Sequence, residues 1–307
     1  GAGGQHFSTL ILSNTSTDVA VASVRLWGRS GPIEAVDAER IVIEPGQVRR
    51  IRVDDLAAGE TEMVARVIRR QGQVAVAVND SLSGDRRGTE SVSPSAAPAV
   101  RQVVSGVIPG KARTLVLFNP SRDVARASVS VLSSRTALTP TGLDAIEVPA
   151  GSVVTVEVPE GVGGGELAFD VTADQPIIAS VRMALGQRDY AYAESGSALS
   201  GPSVVPLELG RSSRTTRIVA AAADSNATLD VRVFDASMTE LARQHVRLAA
   251  KSAQGIKIDV PGAAYAVLTP RGKVTAAATY YRGQELASLA LVPAPIRVAA
   301  PDVRPAR

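Results

Sequence analysis

The sequence predicts an all-β protein built from three tandem immunoglobulin-like β-sandwich repeats. The stretch TLILSNTSTDVAVASVRL, from Thr9 to Leu26, returns as TLVLFNPSRDVARASVSV from Thr114 to Val131. Hydrophobic residues make up 45% of the 307 positions and aromatic ones only 3%, so cores must be built from Val, Ala, Leu and Ile, which favours strands. Apolar residues alternate with polar ones in short runs, the pattern of strands with one buried and one wet face.

The elements follow in order. Placing Thr9 on Thr114 brings Leu10, Leu12, Asn14, Ser16, Asp18, Val19, Ala20, Ala22, Ser23 and Val24 onto identical residues with no gap. A weaker third copy, TRIVAAAADSNATLDVRVF, begins at Thr216, with Val231 and Val233 where Val129 and Val131 stand. The second half of each copy recurs as IVIEPGQVRRIRVDD from Ile41, IEVPAGSVVTVEVPE from Ile146 and VRLAAKSAQGIKIDVPG from Val246. Each reads as a strand, a small turn and an alternating strand. A last pair of strands starts at Glu62, Gly165 and Ala264. Its turns, Arg70-Gln71-Gly72, Ala173-Asp174-Gln175 and Pro270-Arg271-Gly272, read as hairpins. The stretch from Asp235 to Ala250 is the best helix candidate, but repeat alignment makes it a turn leading into a strand.

The repeats are assigned to residues 1–98, 99–202 and 203–307. Pro98, Pro202 and Pro295 each precede a short Val-bearing extended stretch. The first two stretches are positioned to open copies two and three. GAGGQHF is too polar and glycine-rich to open copy one. Either Ile296–Ala299 returns to its vacant edge and closes the array into a pseudo-threefold arrangement, or the array is linear with a loose C-terminal tail. Asn14 and Asn119 each follow an apolar strand and are expected to organise the turn by local backbone hydrogen bonds, worth about 1 kcal/mol.

The net charge of +3 is small and acidic residues are interspersed with the arginines, which argues against a nucleic-acid footprint. The chain has no cysteine, which removes disulfides, thiolate catalysis and Cys-type zinc sites. No run approaches the roughly 20 apolar residues of a membrane helix. GAGGQHF resembles a trimmed end, so a membrane anchor outside this chain is expected.

The phrase LFNPSRDVARASVSV followed by VPAGSVVTVEVP resembles an uncharacterised actinobacterial family of secreted or membrane-anchored proteins. Asn119, Pro120, Pro149, Ala150, Gly151 and Ser152 carry the resemblance best. Copy one matches partly at Asn14, Pro45 and Gly46, and copy three departs most. The resemblance implies an extracytoplasmic β-rich module, secreted or anchored facing the cell wall, often encoded beside a large membrane glycosyltransferase of the envelope. It supplies no catalytic residues.

The residues themselves select no catalytic set, metal site or cofactor. His6 and His245 are far apart in sequence and without cysteine partners. GVGGGE at Gly161 lacks the Gly-Lys-Ser/Thr of a phosphate loop. Asp54, Asp55, Glu60 and Glu62 lack calcium-loop spacing. Two groups remain as a candidate ligand or partner surface. Arg49, Arg50 and Arg52, with Arg69 and Arg70 and nearby Arg86 and Arg87, suit an anionic partner or else protect sheet edges by charge. Tyr190 and Tyr192 share a face if extended, and with Trp27, Tyr280 and Tyr281 either stack on sugar rings or pack internally.

These features point to a non-enzymatic extracytoplasmic scaffold linked to cell-envelope glycan assembly, binding a membrane glycosyltransferase or another envelope protein. The alternative is a carbohydrate-binding module for cell-wall glycan. A hydrolase hidden in a β fold is the third reading.

Overall fold

Alternating strands have one apolar face each, and such faces are buried only between two layers. The computed structural model describes residues 1–83, 88–109, 112–163, 165–186, 189–207 and 215–294. Within them the chain is all-β, with only two short 3-10 turns at Val36–Ala38 and Val53–Asp55, and its five sheets are all open.

The first third of the chain holds β1 (His6–Ser13), β2 (Ala20–Gly28), β3 (Gly31–Ile33), β4 (Ile41–Ile43), β5 (Val48–Arg52), β6 (Val64–Gln71), β7 (Ala75–Leu82) and β8 (Gly88–Val92). One sheet runs β5-β1-β7-β8. The other has β2 between β6 on one side and β3 and β4 on the other. Leu10 and Leu12 from the first sheet and Ala20, Ala22, Val24 and Leu26 from the second form one apolar cluster.

The middle third holds β9 (Ala99–Val107), β10 (Ala112–Phe118), β11 (Ala125–Leu132), β12 (Ala137–Leu138), β13 (Ile146–Val148), β14 (Val153–Glu157), β15 (Leu167–Ala184) and β16 (Ala191–Gly196). The last third holds β17 (Ser203–Pro206), β18 (Thr215–Ala222), β19 (Ala227–Phe234), β20 (Glu240–Leu248), β21 (Ser252–Ile258), β22 (Tyr265–Arg271), β23 (Thr275–Arg282) and β24 (Glu285–Ala290). Its sheets run β17-β22-β19-β20 and β21-β18-β23-β24. Each of these thirds has its own apolar cluster, the middle one centred on Leu115, Leu117, Val129, Phe169 and Val181. The stretch proposed as a turn into a strand is that: Asp235 accepts from the Ser237 and Thr239 amides, and β20 follows.

None of the three expected hairpins forms, and two of them are corners. β6 pairs with β2 and β7 with β1, in different sheets. β22 pairs with β19 and β23 with β18, again in different sheets. In the middle third there is no turn at all. β15 runs unbroken for 18 residues, its first half beside β11 and its second half beside β10. A turn sequence suits a hairpin and a corner equally. The choice falls to tertiary packing, because each flanking strand carries an apolar face that fits a different layer. At the β6–β7 corner Gly72 has φ +68, and a Cβ there would come within 2.8 Å of the Val19 carbonyl oxygen and the Ala20 Cα.

The two Pro-led stretches do open the next copies: β9 covers the first half of β15, and β17 covers β22. Among the described residues β6, which occupies the same place in copy one, pairs only with β2. The expected return strand, Ile296–Ala299, lies outside the described residues.

Asn14 and Asn119 are buried hubs with matching bonds. Asn119 Nδ2 donates to the carbonyls of Asp123 at 2.7 Å and Val148 at 2.9 Å, while its Oδ1 accepts from the amide and hydroxyl of Ser121. Asn14 repeats this with Asp18, Ile43 and Ser16. Each Asn therefore ties the first turn to the strand that crosses 29 residues later, a longer reach than the local turn expected from sequence. Because truncation leaves the buried Val148 carbonyl unpaired, Asn119→Ala should cost about 2–3 kcal/mol. Asn119→Asp should also destabilise, since a carboxylate cannot donate to two carbonyls. Chemical denaturation of both variants checks this.

Candidate functional site

The residues singled out from sequence fall in two different environments. Arg49, Arg50 and Arg52 lie on β5, an outer strand that among the described residues pairs only with β1. Arg49, Arg50 and Arg52 are all exposed. Arg69 and Arg70 lie at the end of β6, on the opposite sheet, and are tied down locally. Arg69 donates to the Gly72 carbonyl and Arg70 to the Ser23 hydroxyl. Both arginine groups therefore sit on strands with an open side, the placement expected of charges that guard sheet edges, and the structure does not bring them into one cluster. Arg86 and Arg87 lie outside the described residues.

Tyr190 and Tyr192 do not form an open platform. Tyr190 is 5% exposed. Its hydroxyl donates to Asp80 Oδ2 at 3.0 Å, as the Tyr192 hydroxyl does at 3.3 Å, and the two rings meet edge-on at 5.8 Å. Both do share a face, but it is turned onto copy one, where the apolar body and polar tip of tyrosine are used together. Trp27 packs on Phe118, the Tyr280 hydroxyl donates to the Pro206 carbonyl and the Tyr281 hydroxyl accepts from Arg217. His245 pairs with Asp230 at 2.7 Å.

Asp80 is the residue that sequence reading missed. It is 2% exposed. Burial alone would raise its carboxyl, but His6 at 3.4 Å, a hydrogen bond from Ser8 and nearby positive charge hold it well below the usual carboxylate range. Burial and the Asp80 charge push the Tyr190 hydroxyl upward in turn. Nearby, Asp189 accepts the amides of Tyr190 and of Leu286 on β24, and Glu90 accepts the amide of Ser288 on the same strand. Three copies thus meet through carboxylates that receive backbone donors. Glu90, 3% exposed, is pushed up to about 8 by burial and by the charges of Asp189 and Glu194. Burial pushes Glu194 up to about 8 as well.

Beside this junction lies a cleft of about 310 Å³ between copy one and copy two. Val24, Leu26, Val67 and Val78 line its copy-one wall, and Ile178, Arg182, Tyr192 and Glu194 the other. Copy one is open here because, among the described residues, β6 has no outer neighbour. Ala65 stands opposite buried Leu26 on the inward face and is nonetheless exposed. The residues at that place in copies two and three, Phe169 and Ala266, are fully buried beneath β9 and β17. Among the described residues no group of three His, Cys, Asp or Glu side chains is placed to hold a metal ion, and no helix is long and apolar enough to cross a membrane.

Residues 3–261 match a family described as a family of unknown function (DUF5719), and the chain belongs to that family. No curated protein matches it.

The raised carboxyl of Glu90 links stability to pH. Between about pH 4.5 and pH 8 the folded chain keeps a proton that the unfolded chain has released. The stabilisation from this proton is complete at the acid end and is lost as pH rises through 8. Asp80 has the opposite sign, contributing above the ordinary carboxylate range and fading on acidification. Glu90→Gln should therefore melt close to the parent at pH 5 and above it at pH 9, by about 2–4 °C per kcal/mol relieved. Thermal melts across that range decide it; equal slopes for the two proteins would contradict the assignment.

Proposed function

We propose that this chain is a non-enzymatic, extracytoplasmic interaction module of three immunoglobulin-like β-sandwiches, arranged with pseudo-threefold symmetry. In this reading it is linked to cell-envelope glycan assembly and binds a membrane glycosyltransferase or another envelope protein, as the sequence resemblance to actinobacterial envelope proteins implies. One observation carries the proposal. Copy one presents two strands with open sides, β5 and β6, and its exposed Arg25, Arg49, Arg50, Arg52 and Arg66 make no ion pair among the described residues. Elsewhere Arg29 of copy one and Arg101, Arg126, Arg217 and Arg232 of the later copies are paired with carboxylates.

Unpaired arginines beside open strands suit a protein surface with acidic side chains, because an arginine fork reaches carboxylates in pairs and open strands offer main-chain bonds. A sugar platform has less support, since Tyr190 and Tyr192 are committed to Asp80. Crosslinking in the native membrane followed by mass spectrometry tests the proposal. Arg49→Glu with Arg50→Glu and Arg52→Glu should remove the recovered envelope protein while leaving the melting temperature within about 2 °C, as surface changes usually do. Recovery of the same partner by the triple variant would refute the role of this edge.

A further inference from the structure

In two of the three copies the strand at the β6 position has a covering neighbour, and these internal cases define what the open cleft is shaped to hold. Both covering strands are antiparallel to the strand they cover. Both place alternate side chains inward, Val104 against Phe169 and Val205 against Ala266. The cleft beside β6 therefore has the form of a strand's seat, and Ala2 pairs with the segment that leads into β6. The Ala2 amide donates to the Glu60 carbonyl at 2.6 Å and its carbonyl accepts from Gly59 at 2.7 Å.

The outward position tells which chemistry the cover must carry. The sequence repeat places Arg25 on Ser130 and on Arg232. The residues paired with them are Arg66, Asp170 and Val267. In copy two the cover matches Asp170 with a cation: Arg101 donates from Nε and Nη2 to both carboxylate oxygens at 2.7 Å. In copy three the cover matches Val267 with Val204. In copy one the charge is inverted. Arg66 stands where Asp170 stands, directly across from Arg25, and neither has an anionic partner among the described residues. Like charges directly opposite in a sheet repel. A carboxylate on the cover would relieve that repulsion as Arg101 satisfies Asp170.

We propose that the cleft of copy one binds an extended segment of a partner protein in which apolar residues alternate with Asp or Glu, added to β6 as an antiparallel strand. The apolar side chains enter beside Ala65 and Val67, and the acidic ones lie over Arg25 and Arg66. The chain's own residues 295–307 carry Arg297, Arg304 and Arg307 against one acid, Asp302, the opposite of the charge that Arg25 and Arg66 call for.

This rests on the reading of the protein as an interaction module, and the test separates the two. A capped peptide alternating valine with glutamate is titrated into the full chain at low salt, beside its lysine twin. The acidic peptide should bind at least about tenfold more tightly, and Arg25→Glu with Arg66→Glu should reverse the preference. Ala65→Trp, which fills the cleft, should abolish binding at an unchanged melting temperature. Equal binding of the twins, or binding indifferent to Ala65→Trp, overturns the proposal. So does acidic-peptide binding that appears only after deletion of residues 295–307, which would make the tail the occupant. Saturable peptide binding by a protein that crosslinks to no envelope component supports the seat and removes the envelope assignment alone. An envelope crosslink without peptide binding does the reverse.

Discussion

The arrangement depends on one constraint: a strand buried inside a layer needs a neighbour on each side, for its backbone groups and for the apolar face beneath. The chain meets this need by lending strands forward. The segment that leaves copy one becomes β9 and completes the layer of copy two, and the segment that leaves copy two becomes β17 and does the same for copy three. Copies two and three are each thus finished by a strand that enters from before their first turn. The cleft beside β6 is the same requirement left unmet within residues 1–294.

Lending strands forward also brings unlike surfaces into close register, and the close fit limits side-chain size. Gly106, at the end of β9, has φ +84, and a Cβ there would lie 2.8 Å from that of Ala277. Small residues fill the meeting of copies two and three, with Leu132, Ala168, Ala221 and Ala253 in one cluster. The meeting of copies one and two combines the packing of Trp27 on Phe118 with a buried polar group at Asp80. Asp80 is buried as an anion because two tyrosine hydroxyls, Ser8 and His6 surround it, which is the condition under which a buried charge is tolerated. Glu90 and Glu194, with fewer donors, respond by holding their protons more tightly. The junction beside the cleft therefore holds carboxyls shifted in opposite directions, Asp80 down and Glu90 and Glu194 up.

The strands, their alternation and the local turn at each Asn were readable from the sequence because they are local or repeated, whereas the bond from each Asn to a strand 29 residues on was not. Asn14 and Asn119 stand at matching places, and their partners match too. The corners were not readable, since Arg70-Gln71-Gly72 has the composition of a hairpin and only packing assigns its two flanks to different layers. The tyrosine pair was legible as a pair sharing one face, but its target was not: Asp80 lies 110 residues from Tyr190 in sequence and is an ordinary Asn-Asp step in a strand. The inversion of charge between Arg66 and Asp170 was hidden for the same kind of reason. Only strand register shows that these two residues hold the same place beside Arg25 and Ser130.

Hydrogen exchange by mass spectrometry tests the open seat most directly, because amides on β6 and on its counterparts can be followed in one chain. If the seat is open, amides within residues 64–69 of β6 exchange well ahead of those in residues 167–172 of β15 and 265–270 of β22, and they gain protection when the acidic peptide is added. Protection of β6 equal to that of β15 and β22 in the free protein would mean that the seat is already filled, and the account would fail.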